Sequence, residues 1–339
     1  MITKLLTPSD ADLALAADLI KSGNVVGIPT ETVYGLAANA FDEQAVSKIF
    51  KAKGRPSDNP LIVHISNFDM IHGIAAEIPP LAHKLAESFW PGPLTMIMPK
   101  SPKIPMITSG GLDTVGIRFP SHPVARRLIE LCGVPLAAPS ANLSGSPSPT
   151  TAARVYEDMN GRIPAIIDGG ECTVGVESTV ISFEGDAVRI LRPGGITREM
   201  LESVVPNVII DRGVLAEISP DAAAPSPGMK YKHYAPRADV KIIKGNISAY
   251  TEYVRKTALK GDFCLLFDDS EKVDSIPYLC YGTDPADQAH ELFECLRTLD
   301  EKGAKTVYAR CPDLSGVGLA VYNRILRAAG FCVIDLEKK

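Results

Sequence analysis

The stretch EQAVSKIFKAKGRPSDNPLIVHI, Glu43 to Ile65, decides the fold. Its first half places Ala45, Val46, Ile49 and Phe50 on one face, the spacing of a helix with a single apolar side. Gly54 then permits a turn, and Pro56, Asn59 and Pro60 make that turn rigid. LIVHI is a continuous apolar run of strand length, as expected for a strand covered on both faces. Helix, turn and buried strand in that order are the repeating unit of an α/β protein.

The same alternation extends outward in both directions. Asp10 to Lys21 predicts a helix capped by Ser9 and followed by Gly23, and NVVGIP after it predicts a strand. TMIMPK, TVGIRFP, VPLAAPS, AIID, TVISF and VRILRP predict further strands, with helices near Val124–Leu131 and Thr151–Met159 between them. The sum is a large mixed sheet with helices, occupying residues 1–210. From Asp211 to Arg237 the periodicity fails, and SPDAAAPSPGMKYKHYAPR reads as a linker, although Met229 to Tyr234 is too dense in cations and aromatics for a plain spacer. Residues 238–339 predict a smaller α/β unit, with DVKIIKG, DFCLLFDD and TVYARCP as strands. Asp284 to Lys302 predicts its long helix, with Asp284 as cap, Pro285 at the first position and Gly303 beyond the end. Glycines in SGVGLAVYNRIL precede another helix, where close helix–sheet packing accounts for them.

Bulk properties narrow the function classes. The 339 residues carry a formal net charge of −5, which makes direct RNA binding the weaker expectation. Seven cysteines without a CxxC pair argue against a zinc ribbon and suit a reducing cytoplasm. MITKLLTPSD, with no long apolar run behind Lys4, reads as neither signal peptide nor membrane anchor. No GxxxxGK[ST] loop, HExxH or kinase signature is present, so a nucleotide would bind by another arrangement.

Three loops carry candidate chemistry. In PTETVYGL (Pro29–Leu36) two threonines, a carboxylate and a phenol follow a strand, where an α/β sheet places ligands; a capped turn is the plainer reading. Lys53 and Arg55 end the helix and suit a polyanion, although the helix dipole also favours cations there. In PSANLSGSPSPT (Pro139–Thr150) hydroxyls and backbone N–H groups form an anion nest or, more simply, a turn that caps the next helix. Arg118 lies within a strand and needs a partner, either a protein carboxylate or an anionic ligand. His64, within an apolar strand, reads on its own as a core residue.

Taken in order, PTETVYGL, KGRPSDNPL, the IRFP strand, PSANLSG, GVESTV and LRPGG resemble the YrdC-type domain. With the SPGMKYKHYAP linker and the small domain, the whole chain resembles the long, two-domain form of the threonylcarbamoyl-AMP synthase family. That resemblance implies a YrdC-like open, twisted mixed sheet around a concave, positively charged cavity, with a smaller Rossmann-like α/β domain behind it. It implies that Thr32, His64, Arg118, Ser178 and the backbone at Ala138 surround L-threonine. It sets Arg55, Asn59, Thr114, Ser140, Ser148 and Arg192 around ATP, makes Lys53 and Arg55 the catalytic pair, and brings Tyr231 or Tyr234 over the nucleotide. The partners it implies are ATP, L-threonine and bicarbonate, with Mg2+ held through the phosphates and the product passed to a tRNA threonylcarbamoyl-transferase complex. The linker around Pro225–Pro236 is then a lid. An RNA-binding or ribosome-assembly module is the rival reading. A carbamoyl transferase using carbamoyl-phosphate is a third, but such relatives add acylphosphatase and zinc-finger segments that this chain lacks.

Overall fold

The computed structural model describes residues 2–217 and 234–338, which divide into two compact units. Eleven strands of the first unit form one sheet: β1 (Lys4–Leu6), β2 (Val26–Ile28), β3 (Gly35–Asn39), β4 (Ile62–His64), β5 (Leu94–Pro99), β6 (Thr114–Arg118), β7 (Leu136–Ala137), β8 (Ala165–Ile167), β9 (Thr179–Glu184), β10 (Ala187–Arg192) and β11 (Asn207–Ile210). Their order is β1-β8-β2-β3-β7-β4-β6-β5-β9-β10-β11, with parallel and antiparallel pairs mixed. The mixed sheet expected from the sequence is therefore present.

Helices α1 (Asp10–Lys21), α2 (Glu43–Lys53), α3 (Pro80–Phe89), α4 (Pro123–Cys132), α5 (Ala152–Met159) and α6 (Arg198–Glu202) complete the unit. Ser9 caps α1 by accepting from the Asp12 N–H, and Asp42 caps α2. The apolar face read for α2 is buried, and Gly54 closes that helix in the left-handed region at φ 64°. Strand residues alternate between two cores. Val26, Ile28, Ala37, Leu136, Ala165 and Ile167 join the apolar faces of α1 and α4. Val25, Leu36, Ala38, Ala137 and Ile166 join those of α2 and α5. A period of two along each strand is the mark of a sheet covered on both faces.

Some readings change in extent. VPLAAPS contributes only the two residues of β7, because Pro135 and Pro139 on either side cannot donate to a ladder. β1, β3, β11, α3 and α6 had no reading in the sequence. At the start of the stretch read as linker, Arg212–Val214 forms a short 3-10 turn with Gly213 and Val214 buried. The lid segment falls largely outside the described residues.

The second unit is a five-stranded sheet of β12 (Asp239–Lys244), β13 (Phe263–Leu266), β14 (Tyr278–Cys280), β15 (Thr306–Arg310) and β16 (Val333–Asp335), in the order β14-β13-β15-β12-β16. Every pair is parallel. Helices α7 (Ile247–Thr257), α8 (Pro285–Glu301) and α9 (Gly318–Ala328) accompany it. Asp284 caps α8 with Pro285 at its first position, and Ala289, Leu292, Phe293, Leu296 and Leu299 are buried as their stripe requires.

Candidate functional site

One line of register crosses six strands of the first sheet. Leu136 of β7 pairs with His64 of β4, and His64 with Arg118 of β6. Arg118 pairs with Thr95 of β5, Thr95 with Val180 of β9, and Val180 with Arg192 of β10. Three of the expected site residues thus stand in one row: His64 and Arg118 end adjacent strands, and Arg192 ends β10, with β5 and β9 between it and β6. The β4 and β6 members stand at the carboxyl ends of their strands, where α/β sheets receive ligands.

Arg118 is the hub of the amino-acid side of the row. Its Nη2 lies 2.7 Å from Glu31 Oε1, with both side chains buried, and its Nη1 donates to Thr32 Oγ1 at 2.9 Å. The buried arginine therefore meets a protein carboxylate. Thr30 Oγ1 donates to the Val33 carbonyl at 2.6 Å, so the 2.9 Å contact between the Thr30 and Thr32 hydroxyls must run from Thr32 to Thr30. That chain of hydrogen bonds leaves the Thr32 oxygen as the acceptor for Arg118. Burial alone would raise the Glu31 carboxyl, but the charge and hydrogen bonding of Arg118 outweigh it and hold Glu31 below its ordinary range. His64 is pushed down to about 3, first by burial and then by the Arg118 charge, and is a neutral imidazole. Its Nδ1 lies 3.2 Å from the Ile62 carbonyl.

Beyond Thr95 the row changes character. Thr95 Oγ1 and Ser178 Oγ are 2.8 Å apart, and Arg192 donates to both Ser178 Oγ (3.1 Å, from Nη2) and the Ser178 carbonyl (3.1 Å, from Nε). Ser148 Oγ donates to Glu177 Oε1 at 2.5 Å, with both residues buried. Gly194 lets LRPGG lie directly on GVESTV: a Cβ there would stand 2.4 Å from the Thr179 nitrogen and 2.5 Å from the Glu177 carbonyl. Thr114 opens β6 and, with Pro60, Ile62, Thr95, Gly116 and Val180, lines a small cavity beside this junction.

Lys53 and Arg55 have different surroundings. Lys53 is buried and its Nζ donates to the Ser140 carbonyl (2.5 Å), the Asn142 carbonyl (2.8 Å) and Asn142 Oδ1 (3.3 Å). The Ser144 N–H returns a bond to the Lys53 carbonyl, and Ser140 Oγ donates to Asn142 Oδ1. Lys53 is thus the post around which the PSANLSG loop is wound. Arg55, one residue past the left-handed Gly54, is half-buried. Asn59 is buried, and its Oδ1 has no hydrogen-bond partner among the described residues. Ala138 is buried just after β7 and gives its N–H to the Ile62 carbonyl.

Among the remaining expected residues, Tyr234 lies in the second unit. It is buried there, its ring 5.2 Å from that of Phe293 and 5.5 Å from the Arg324 guanidinium. Tyr231 lies outside the described residues. Thr30, Glu31 and Asn142 also belong to the polar set, and the sequence reading of PTETVYGL and PSANLSGSPSPT included them without assigning each a role. Glu177 sits inside GVESTV but was not singled out, and nothing local marks Thr95. Among the described residues no group of three or more His, Cys, Asp or Glu could hold a metal.

A mixed-sheet α/β unit carrying a buried polar row, followed by a parallel α/β unit, makes this a two-domain α/β protein with its candidate site on the first sheet. The family model described as "Telomere recombination", for the Sua5/YciO/YrdC domain, matches residues 18–194. The model for the C-terminal domain of threonylcarbamoyl-AMP synthase matches residues 196–330. The threonylcarbamoyl-AMP synthase of Pyrococcus abyssi is 45% identical over 96% of this chain and 96% of its own length. That of Bacillus subtilis is 44% identical over 98% and 97%. A crystal structure of P. abyssi Sua5 complexed with L-threonine superposes with a TM-score of 0.91 at 42% identity, covering 98% of this chain and 99% of that one. The chain belongs to the threonylcarbamoyl-AMP synthase family.

Proposed function

We propose that this chain condenses L-threonine, bicarbonate and ATP into threonylcarbamoyl-AMP and pyrophosphate. The observation that carries the reading is the single row in which the Glu31–Arg118–Thr32 cluster is joined, through Thr95 and Ser178, to the Arg192 guanidinium. An amino acid and a nucleotide held at the two ends of that row react across a short distance. Full-length likeness to synthases and to a threonine-bound relative supports the same reading and weighs against the RNA-binding module.

The chemistry balances in two steps. Threonine's amine attacks the carbon of bicarbonate; the N–C bond forms, hydroxide leaves and takes up the ammonium proton as water, and a carbamate results. A carbamate oxygen then attacks the α-phosphorus while the bond to the β-phosphate oxygen breaks and pyrophosphate departs. The residues supply orientation and charge: Arg118 and Thr32 for the amino acid, Arg55 and Arg192 for the phosphates, and Lys53 for the loop carrying Ser140. Neutral His64 keeps a second cation away from Arg118. Ser148, Asn59 and Thr114 complete the nucleotide side. Mg2+ would be carried by the ATP phosphates, whose charge it would screen. The product, a mixed anhydride, requires a transferase that carries it to a tRNA adenosine. We place this chemistry in the cytoplasm, in keeping with seven free cysteines.

The test is to supply 13C-bicarbonate with ATP, Mg2+ and L-threonine and to analyse the product by mass spectrometry. The label must appear in an adenylate heavier than threonyl-AMP by one carbon dioxide, whose carbon is the 13C. An unlabelled threonyl-AMP overturns the proposal.

A further inference from the structure

Arg118 is a full positive charge in the amino-acid half of the site, yet that half carries no net charge. Glu31 lies 2.7 Å from Arg118 Nη2 with both side chains buried, so the two charges cancel within one hydrogen-bond length. His64, the other ionisable group in the amino-acid half of the row, is neutral. On the synthase reading it is the opposite half, with Arg192 and Arg55, that takes the polyanion. The amino-acid substrate is a zwitterion, whereas ATP, pyrophosphate and bicarbonate are anions present in the same cavity. A neutral pocket admits a zwitterion without leaving a buried charge unbalanced; a pocket with an unpaired Arg118 would attract every anion that the reaction uses or makes.

We propose that Glu31 is a specificity-determining residue: by pairing with Arg118 it makes the amino-acid pocket neutral, so that the pocket selects a zwitterion and refuses simple anions. This inference rests on the synthase reading above. Glu31 is also a positioning residue, because Arg118 is held on one side by Glu31 and on the other by the Thr32–Thr30–Val33 hydrogen-bond chain. The Glu31 backbone is fixed in turn, its carbonyl accepting from the Val174 N–H at 2.8 Å.

The test compares L-threonine with 3-hydroxybutyrate, which keeps the carboxylate and hydroxyl but lacks the ammonium, as a competitor in threonine-dependent pyrophosphate release. With wild-type protein, 3-hydroxybutyrate should inhibit at least ~10-fold more weakly than the threonine KM would suggest. In Glu31→Gln the threonine KM should rise about 10-fold with the ATP KM within about twofold of wild type. Inhibition by 3-hydroxybutyrate and by pyrophosphate should become competitive with threonine in that variant. Glu31→Asp, which keeps the charge, should restore discrimination against 3-hydroxybutyrate even if the threonine KM stays raised. Wild-type protein that binds 3-hydroxybutyrate as tightly as threonine would overturn the inference, and needs no variant to fold. So would a Glu31→Gln protein whose threonine and ATP KM values rise together. Failure of the synthase reading itself is distinguishable, because wild-type protein would then release no pyrophosphate in response to threonine.

Discussion

At the scale of single residues, His64 and Lys53 make the sharpest predictions. Folding takes His64 from an ordinary value of 6.5 to about 3, so the unfolded chain binds a proton that the folded chain refuses. Its contribution is therefore complete above pH 6.5 and is lost as pH falls toward 3, by up to about 1.4 kcal/mol per pH unit. Glu31 adds a loss of the same sign below pH 4.5, since its folded value is also depressed. Urea midpoints measured from pH 7.5 to 4.5 should fall less steeply in His64→Gln than in wild type, and parallel curves would refute the neutral buried imidazole. Lys53 and Arg55 should separate in the same assay. Lys53→Ala strips buried loop carbonyls of their donor and should cost about 1–3 kcal/mol of stability as well as activity. Arg55→Ala, at a half-buried turn, should raise the ATP KM while leaving the urea midpoint nearly unchanged. Equal stability losses in the two would show that Lys53 is not the post of the loop.

At the scale of elements, much of the molecule was legible in local sequence. Ser9, Asp42 and Asp284 are caps, Gly54 is a left-handed stop, and the apolar stripes of α2 and α8 are buried as their spacing requires. Local signals of this kind act within one or two turns, so a linear reading finds them. β1, of three residues, is too short to carry a period, and β7 shrinks to two residues of the stretch read for it; both pair with strands more than seventy residues away. The site divides in the same way. Arg118 announced that it needs a partner, but its choice of Glu31 depends on which strands are neighbours. Thr95 is an ordinary strand residue until β9 brings Ser178 to it. Gly194 is the element-scale test of this arrangement. Gly194→Ala puts a methyl against the backbone of residues 177–179 and should cost about 1–3 kcal/mol. By shifting Ser178 it should also lower kcat/KM for L-threonine and for ATP. A variant with wild-type thermal stability and kinetics would show that the contact is not needed.

At the scale of the whole molecule, the chain joins a unit that holds a complete polar row to a second unit with its own parallel sheet and core. The first unit buries two apolar cores without help from disulfides. Removing Pro225–Pro236, the stretch read from the sequence as a lid, should therefore leave the first unit folded by circular dichroism. Synthesis should be abolished, because the carbamate and the mixed anhydride both hydrolyse unless water is kept out. Full activity after that deletion would show that the segment takes no part in protecting them.

Whether threonine, bicarbonate and ATP react together is decided by pyrophosphate release from ATP and Mg2+, with L-threonine and bicarbonate each omitted in turn. Release should occur only when both are present. Release that persists without bicarbonate, or no release with every substrate supplied, would refute the three-substrate reaction.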